Sequence, residues 1–196
     1  FHSQSNEAWF FHTPGLKIVY PSCSMDAKGL LNAAIEDPNP YLFFEHKALY
    51  RSHSEKIFND YYTIEIGKAR IINKGEDISI ITYGMGVYWA KDVLKSFSNI
   101  SIEIIDLRSL QPWDKETVKN SVIKTNKVII LHEDCLTGGI GAEISAWITE
   151  NCFESLDGPI LRVGGLDTPV PFRKELEDNF MPKDRLKKKI NKLVSY

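Results

Sequence analysis

The sequence predicts an α/β fold with a mostly parallel sheet, on two observations. A strand–helix–strand pattern occupies the first 50 residues. From about residue 64, short apolar runs then alternate with segments whose apolar residues recur every three to four positions. Strands that alternate with helices build an open sheet covered on both faces.

The elements follow in chain order. A strand at Lys17 to Tyr20 leaves the Pro14-Gly15 turn. A helix then runs to about Glu36, where Asp37-Pro38-Asn39-Pro40 closes it, and a second strand passes through Phe43-Phe44-Glu45. Residues 1–50 are too few to bury a core unaided. They read as the tail end of a larger α/β domain, or as a unit packed on another subunit. Residues 51–63 are polar and irregular and read as a linker, and residues 64–196 form a second domain.

In that domain, strands are predicted at 64–72, 77–83, 101–106, 127–132 and 160–163. The Lys74-Gly75-Glu76-Asp77 turn predicts that the first two meet as an antiparallel edge pair. A helix over 86–97 places Ala90, Val93, Leu94 and Phe97 on one face. A helix over 114–124 starts at Asp114, whose carboxylate suits an N-cap. Helices over 140–152 and 183–194 bury Ile140, Ile144, Trp147 and Ile148, and Leu186, Ile190, Leu193 and Val194.

Composition bounds the function. The 196 residues are 43% hydrophobic and 26% charged, enough for a core and an ordinary surface. A net charge of −2 favours neither nucleic acid nor an anionic membrane surface, and no apolar run is long enough to span a bilayer. Neither a signal-peptide pattern nor an initiator methionine opens the chain. Cys23, Cys135 and Cys152 are widely spaced without a CxxC, which suits free, mostly buried thiols in a reducing compartment.

Several motifs invite chemistry. Gly84-Met85-Gly86 lies between a strand and a helix, but Trp89 stands where a dinucleotide fingerprint needs a small residue, so it reads as a plain turn. Gly138-Gly139-Ile140-Gly141 opens a helix. Glycines suit either anion binding or, the preferred reading, a tight turn with close packing. His132-Glu133-Asp134-Cys135-Leu136 lacks the second histidine of a zinc helix. Neither GxSxG nor a Walker A pattern occurs. His2 can move protons near neutral pH, yet from spacing alone an exposed terminal histidine without a role is the preferred reading.

The opening Phe1-His2-Ser3-Gln4-Ser5, the Pro14-Gly15-Leu16-Lys17-Ile18-Val19 strand entry, Asp26-Ala27-Lys28-Gly29-Leu30-Leu31 and Asp106-Leu107-Arg108-Ser109-Leu110-Gln111-Pro112-Trp113-Asp114 together resemble a known family. It is the β subunit of thiamine-diphosphate-dependent 2-oxo acid dehydrogenase E1 components. The resemblance covers nearly the whole chain and lies nearest the branched-chain (2-oxoisovalerate) type, through Phe43-Phe44-Glu45-His46-Lys47. It implies the end of a pyrimidine-binding domain followed by a transketolase C-terminal-type domain.

The resemblance also implies a function and its residues. The family oxidatively decarboxylates 2-oxo acids and passes the acyl group to lipoyl-E2. His2 matches the histidine that donates a proton in that transfer. Ala34, Asp37 and Asn39 match a structural potassium site, held by the Asp side chain and nearby carbonyls. Thiamine diphosphate and Mg²⁺ would be held by the α subunit and by residues upstream, so no cofactor-binding residue is assigned here and the chain alone is expected to be inactive. For the Asp106–Asp114 block the resemblance implies mostly structural and interface roles.

Implied partners are the E1 α subunit or a fused α segment, a second β subunit, and E2. For E2, Glu175, Glu177, Asp178 and Tyr196 are the candidate contacts. Nucleic acid and membrane are not expected partners. Bacterial cytoplasm or the mitochondrial matrix would be the location. A pyruvate dehydrogenase β subunit and a non-catalytic assembly module are the alternatives.

Overall fold

The computed structural model describes residues 3–196. The N-terminal part holds α1 (Glu7–Phe11), β1 (Lys17–Val19), α2 (Ser24–Glu36), β2 (Tyr41–Phe43) and α3 (Leu49–Ser52). There follow β3 (Arg70–Asn73), β4 (Ile78–Thr82), α4 (Gly86–Leu94), β5 (Ile102–Asp106), β6 (Ser109–Gln111) and α5 (Lys115–Thr125). The chain closes with β7 (Val128–Cys135), α6 (Ile140–Cys152), β8 (Leu161–Gly165), α7 (Lys174–Phe180) and α8 (Lys183–Val194). Among the described residues, no helix is long and apolar enough to cross a membrane.

The main sheet has five strands in the order β3-β5-β4-β7-β8. β5, β4, β7 and β8 are parallel, and the edge strand β3 is antiparallel to β5. Side chains alternate faces with period two. Ile80, Ile104 and Ile129 therefore meet α4 and α8 through Ala90, Val93, Leu186 and Ile190 on one face. Ile81, Ile105 and Ile130 meet α5 and α6 on the other, through Val118, Val122, Ile144 and Ile148. Burial on both faces explains why these strands read as continuous apolar runs.

Two sequence expectations change here. β3 is the antiparallel edge, but it pairs with β5 and not with its chain neighbour β4. The 74–77 turn wraps around the start of β5: the backbone N–H groups of Glu76 and Asp77 both donate to the Ser101 carbonyl, at 3.1 and 2.8 Å. A Cβ at Gly75 would lie 2.2 Å from the Ile102 carbonyl carbon, so only glycine lets the chain pass there. The expected strand over 64–72 also shortens to four residues. Gly67 takes a positive φ of 84°, and the Ala69 N–H is spent on the Asp114 carboxylate.

The N-terminal unit gains its core from the rest of the chain. β1 pairs in parallel with β2 and antiparallel with β6, so a strand of the C-terminal part completes its sheet. Ile18 and Tyr20 belong to the same apolar cluster as Ile81, Ile105 and Leu110. Polar ties run beside it. The Ser22 hydroxyl donates to Asp106 at 2.5 Å, and buried Asp26 pairs with Arg108 and Arg70 at 3.3 and 3.2 Å. Arg108 holds the left-handed region, φ 58°, a strain its ion pair and its donation to the Lys68 and Ala69 carbonyls offset.

Residues 53–63 have no helix or strand, yet they are strapped along α2. Lys28 Nζ donates to the carbonyls of Phe58, Asn59 and Asp60, and Asn32 Nδ2 donates to that of Tyr62. Gly29 lets Ile64 approach so closely that a Cβ would lie 2.6 Å from it.

Candidate functional site

Open parallel sheets place function beyond the carboxyl ends of their strands. Here the ends of β4 and β7 meet the N-terminal part. Tyr83, just after β4, donates its hydroxyl to Glu7 Oε1 of α1 at 2.8 Å. Glu133, late in β7, lies 2.5 Å from His46 Nε2 in the loop after β2. Glu7 is 1% exposed, and its carboxyl is pushed up to about 7, first by burial and then by the nearby Asp134 and Glu133. Burial alone would lower the His46 pKa, but the Glu133 carboxylate more than offsets it, and the net shift is upward. His46 Nδ1 is buried with no hydrogen-bond partner among the described residues.

An aromatic stack joins the two parts. Phe44 stacks on Tyr20 at 5.7 Å between centroids, and Tyr20 packs on Tyr83 at 5.3 Å. Behind Tyr83, His132 is fully buried and its Nδ1 pairs with the Asp134 carbonyl at 2.9 Å. Burial depresses its pKa to about 4, so the imidazole is neutral. A Cβ on Gly139, Gly141 or Gly164 would lie within 3.0 Å of that ring. The Gly138–Gly141 motif thus serves close packing around a histidine. The Gly84-Met85-Gly86 turn is likewise steric: Cβ atoms at its two glycines would meet Tyr20 and Thr82.

A cavity of about 440 Å³ opens beside His46, between the start of α2, the strap and α4. Cys23, Tyr50, His53, Glu55 and Tyr88 line it. Its two carboxylates are already engaged: the Met25 N–H at the start of α2 donates to Glu55 at 2.7 Å, and Tyr50 donates to Glu45 at 2.6 Å. The Cys23 thiol is pushed up to about 11 by burial, which disfavours the thiolate. Only Cys152 of the three thiols is fully buried, where the sequence suggested mostly buried cysteines.

The residues singled out by sequence do not converge. His2 lies outside the described residues. Ala34, Asp37 and Asn39 sit together where α2 ends. Asp37 Oδ2 takes Lys17 and the Tyr41 hydroxyl, and Oδ1 takes the Asn39 backbone and side-chain N–H groups. That carboxylate is already filled. The residue four positions after Ala34 is Pro38, which has no N–H to donate to the Ala34 carbonyl.

Glu175, Glu177 and Asp178 lie on α7, and Tyr196 lies beyond α8 near Gly158. Glu175 pairs with Arg173 and Asp178 with Lys174. Asp106 and Arg108 are structural ties, as expected. Among the described residues, no three His, Cys, Asp or Glu side chains cluster to hold a metal ion. Sequence reasoning missed the Glu7–Tyr83 and His46–Glu133 pairs, which join residues 76 and 87 positions apart. Their one local signal was Glu7 beside the apolar Ala8-Trp9-Phe10-Phe11.

Comparison with known proteins agrees with this architecture. Residues 1–53 match the transketolase pyrimidine binding domain, and residues 67–185 match the transketolase C-terminal domain. The mitochondrial 2-oxoisovalerate dehydrogenase subunit beta of Dictyostelium discoideum is 49% identical over 190 residues, which are 95% of this chain and 50% of that protein. The mitochondrial pyruvate dehydrogenase E1 component subunit beta of Caenorhabditis elegans is 40% identical over 187 residues, 92% of this chain and 53% of that protein. The chain thus spans about half the length of these curated relatives.

A solved split-gene transketolase, an inactive beta4 tetramer, superposes with a TM-score of 0.80 at 20% identity, over 99% of this chain and 62% of that one; this likeness concerns the fold. The chain belongs to the transketolase C-terminal domain family, its first 53 residues match a transketolase pyrimidine binding domain, and it groups with the E1 β subunits of 2-oxo acid dehydrogenases.

Proposed function

We propose that the chain is part of the β subunit of a branched-chain 2-oxo acid dehydrogenase E1 component, working with an α subunit, a second β subunit and lipoyl-E2. The observation that carries this reading is the 49% identity to a 2-oxoisovalerate dehydrogenase β subunit against 40% to a pyruvate dehydrogenase β subunit, at nearly equal coverage. The second of these keeps pyruvate as the competing substrate. The mitochondrial matrix or a bacterial cytoplasm is the matching location.

Bound thiamine diphosphate would supply the electron sink for decarboxylation. In this reading the diphosphate and its metal are held mostly by the α subunit, and no step is drawn through them. This chain's share is His2, which in this reading gives a proton as the acyl group reaches the lipoyl sulfur. In this reading potassium would take carbonyl oxygens at the turn after α2, those of Ala34, Asp37 and Asn39, because the Asp37 side chain is already engaged. Carbonyls are hard ligands suited to a hard cation.

The test is oxidative decarboxylation by the complete enzyme, comparing kcat/KM for 2-oxoisovalerate and pyruvate with an artificial electron acceptor and then a lipoyl domain. Preference for 2-oxoisovalerate is expected. Preference for pyruvate would move the assignment to the second substrate, and activity on neither would remove it.

A further inference from the structure

We propose that α1 and the loop after β2 form a pH-sensitive latch across the seam: Glu7 on Tyr83 and His46 on Glu133 hold both segments to the C-terminal domain in acid-to-neutral solution, and rising pH releases them. The latch does not depend on which 2-oxo acid the enzyme prefers. α1 has five residues and α3, just after His46, has four, both too few to be stable alone, so tertiary contacts set their place. Among the described residues, each segment reaches the C-terminal domain through one polar side-chain tie, Glu7–Tyr83 at 2.8 Å and His46–Glu133 at 2.5 Å. The β1–β6 ladder contains neither group, so the two parts stay joined when the latch opens.

The charges at the seam are unbalanced. Glu7 makes no ion pair: its carboxyl has the Tyr83 hydroxyl and its own backbone N–H, while Asp134 and Glu133 of β7 face it with like charge. Asp134 is itself buried, and Asp167 faces it from the loop after β8. His46 is the one cation of this group, with Glu133 and Glu7 around it. β1 and α6 also pack against α1, through the apolar cluster that holds Ala8, Phe11, Ile18 and Ile144. Burial keeps Tyr20 and Tyr83 un-ionised throughout.

Both titrations act in one direction. Glu7 ionises near 7 in the closed seam and near 4.5 in water, so its contribution to closure is complete below 4.5 and lost as pH rises through 7. Burial works to lower His46, the Glu133 carboxylate outweighs it, and its contribution is complete below 6.5 and lost once pH passes the raised value. Ionised Glu7 adds a buried carboxylate beside two others, and neutral His46 gives up its ion pair. A buried acid and a histidine on one seam suit a switch near neutral pH.

The experiment is hydrogen exchange, read by peptide mass, on the complete E1 enzyme from pH 6 to 8. Rates are divided by the intrinsic, pH-dependent exchange rate and compared with those of β4. Exchange over residues 9–13 and 44–50 is expected to rise about tenfold or more relative to β4, since Glu7 alone gives about tenfold for values of 7 and 4.5. Glu7→Gln, which cannot ionise, is expected to remove most of the rise at 9–13. Glu133→Gln, which removes the ion pair, is expected to open 44–50 already at pH 6 and to flatten its profile. Should Glu7→Gln fail to fold, the wild-type profile and Glu133→Gln carry the test. A wild-type ratio that stays flat with pH, a rise shared equally by β4, or either variant keeping the wild-type profile at its own segment would overturn the proposal.

Discussion

Glu7 and His132 are buried within the same seam and give folding opposite pH dependences. The Glu7 carboxyl ionises near 4.5 in an ordinary setting and near 7 in the fold, because burial disfavours the charge. Its stabilising contribution is complete below 4.5 and is lost as pH rises through 7. Asp106, pushed up to about 6 by burial, adds to the same slope. His132 ionises near 6.5 ordinarily and near 4 here, so its contribution is present above 6.5 and lost as pH falls through 4. Between 4.5 and 6.5 the two slopes oppose each other. Glu7→Gln removes the first. Relative to wild type, its unfolding free energy should gain with pH from 4.5 to 7, by up to about 3 kcal/mol. Denaturant titrations across that range check this, and parallel curves for the two proteins would refute it.

At the scale of elements, local chemistry explains most boundaries. Asp114 caps α5 as the sequence predicts, accepting from the Thr117 backbone N–H at 3.0 Å and also from the Thr117 hydroxyl and the Ala69 N–H. Burial pushes that carboxyl up, and these three donors more than offset it, so it lies below its usual range. The end of α2 is set by two prolines. Pro38 and Pro40 lack the N–H groups that the Ala34 and Glu36 carbonyls would take in a longer helix. Such carbonyls at a helix end want a cationic partner. The complete subunit should therefore melt at a higher temperature in potassium than in sodium chloride of equal ionic strength, by about 1–3 kcal/mol of ligand-linked stability. Equal melting temperatures in the two salts would remove the cation site.

The whole molecule is two parts joined through one core, leaving α7 and the C-terminal tail on the outside. Phe172 is 85% exposed and Leu176 54%, next to Glu175. Glu175 and Asp178 are paired with Arg173 and Lys174, so the rim is mixed in charge with one acid in excess, and apolar side chains with such a rim suit a partner surface that supplies basic groups. The peripheral binding domain of E2 is the occupant proposed, with Glu177 and Asp178 on the same short helix; Tyr196, at the far end of α8 near Gly158, would be a separate contact. Glu175→Lys with Glu177→Lys should weaken E2 binding to the complete enzyme by about tenfold or more, more at low salt than at high. Unchanged affinity in a binding titration would exclude the acidic contact.

The α/β class, the helices over 140–152 and 183–194, and the N-cap at Asp114 were legible in the sequence because each rests on local periodicity or capping chemistry. The family resemblance was legible in contiguous blocks such as Pro14–Val19 and Asp106–Asp114. Which strand neighbours β3, the completion of the N-terminal sheet by β6, and the meeting of Glu7 with Tyr83 and His46 with Glu133 were not. Those depend on chain crossings and on desolvation. A strand's partner is chosen by how the links pass over the sheet, and an acid becomes a buried acid only when a second segment covers it. Sequence by itself determined the fold class, the main helices and parallel strands and the family resemblance, but not the short α1, α3, β6 and α7; tertiary structure alone decided which side chains left water together, since no pattern within one segment records what another segment will bury.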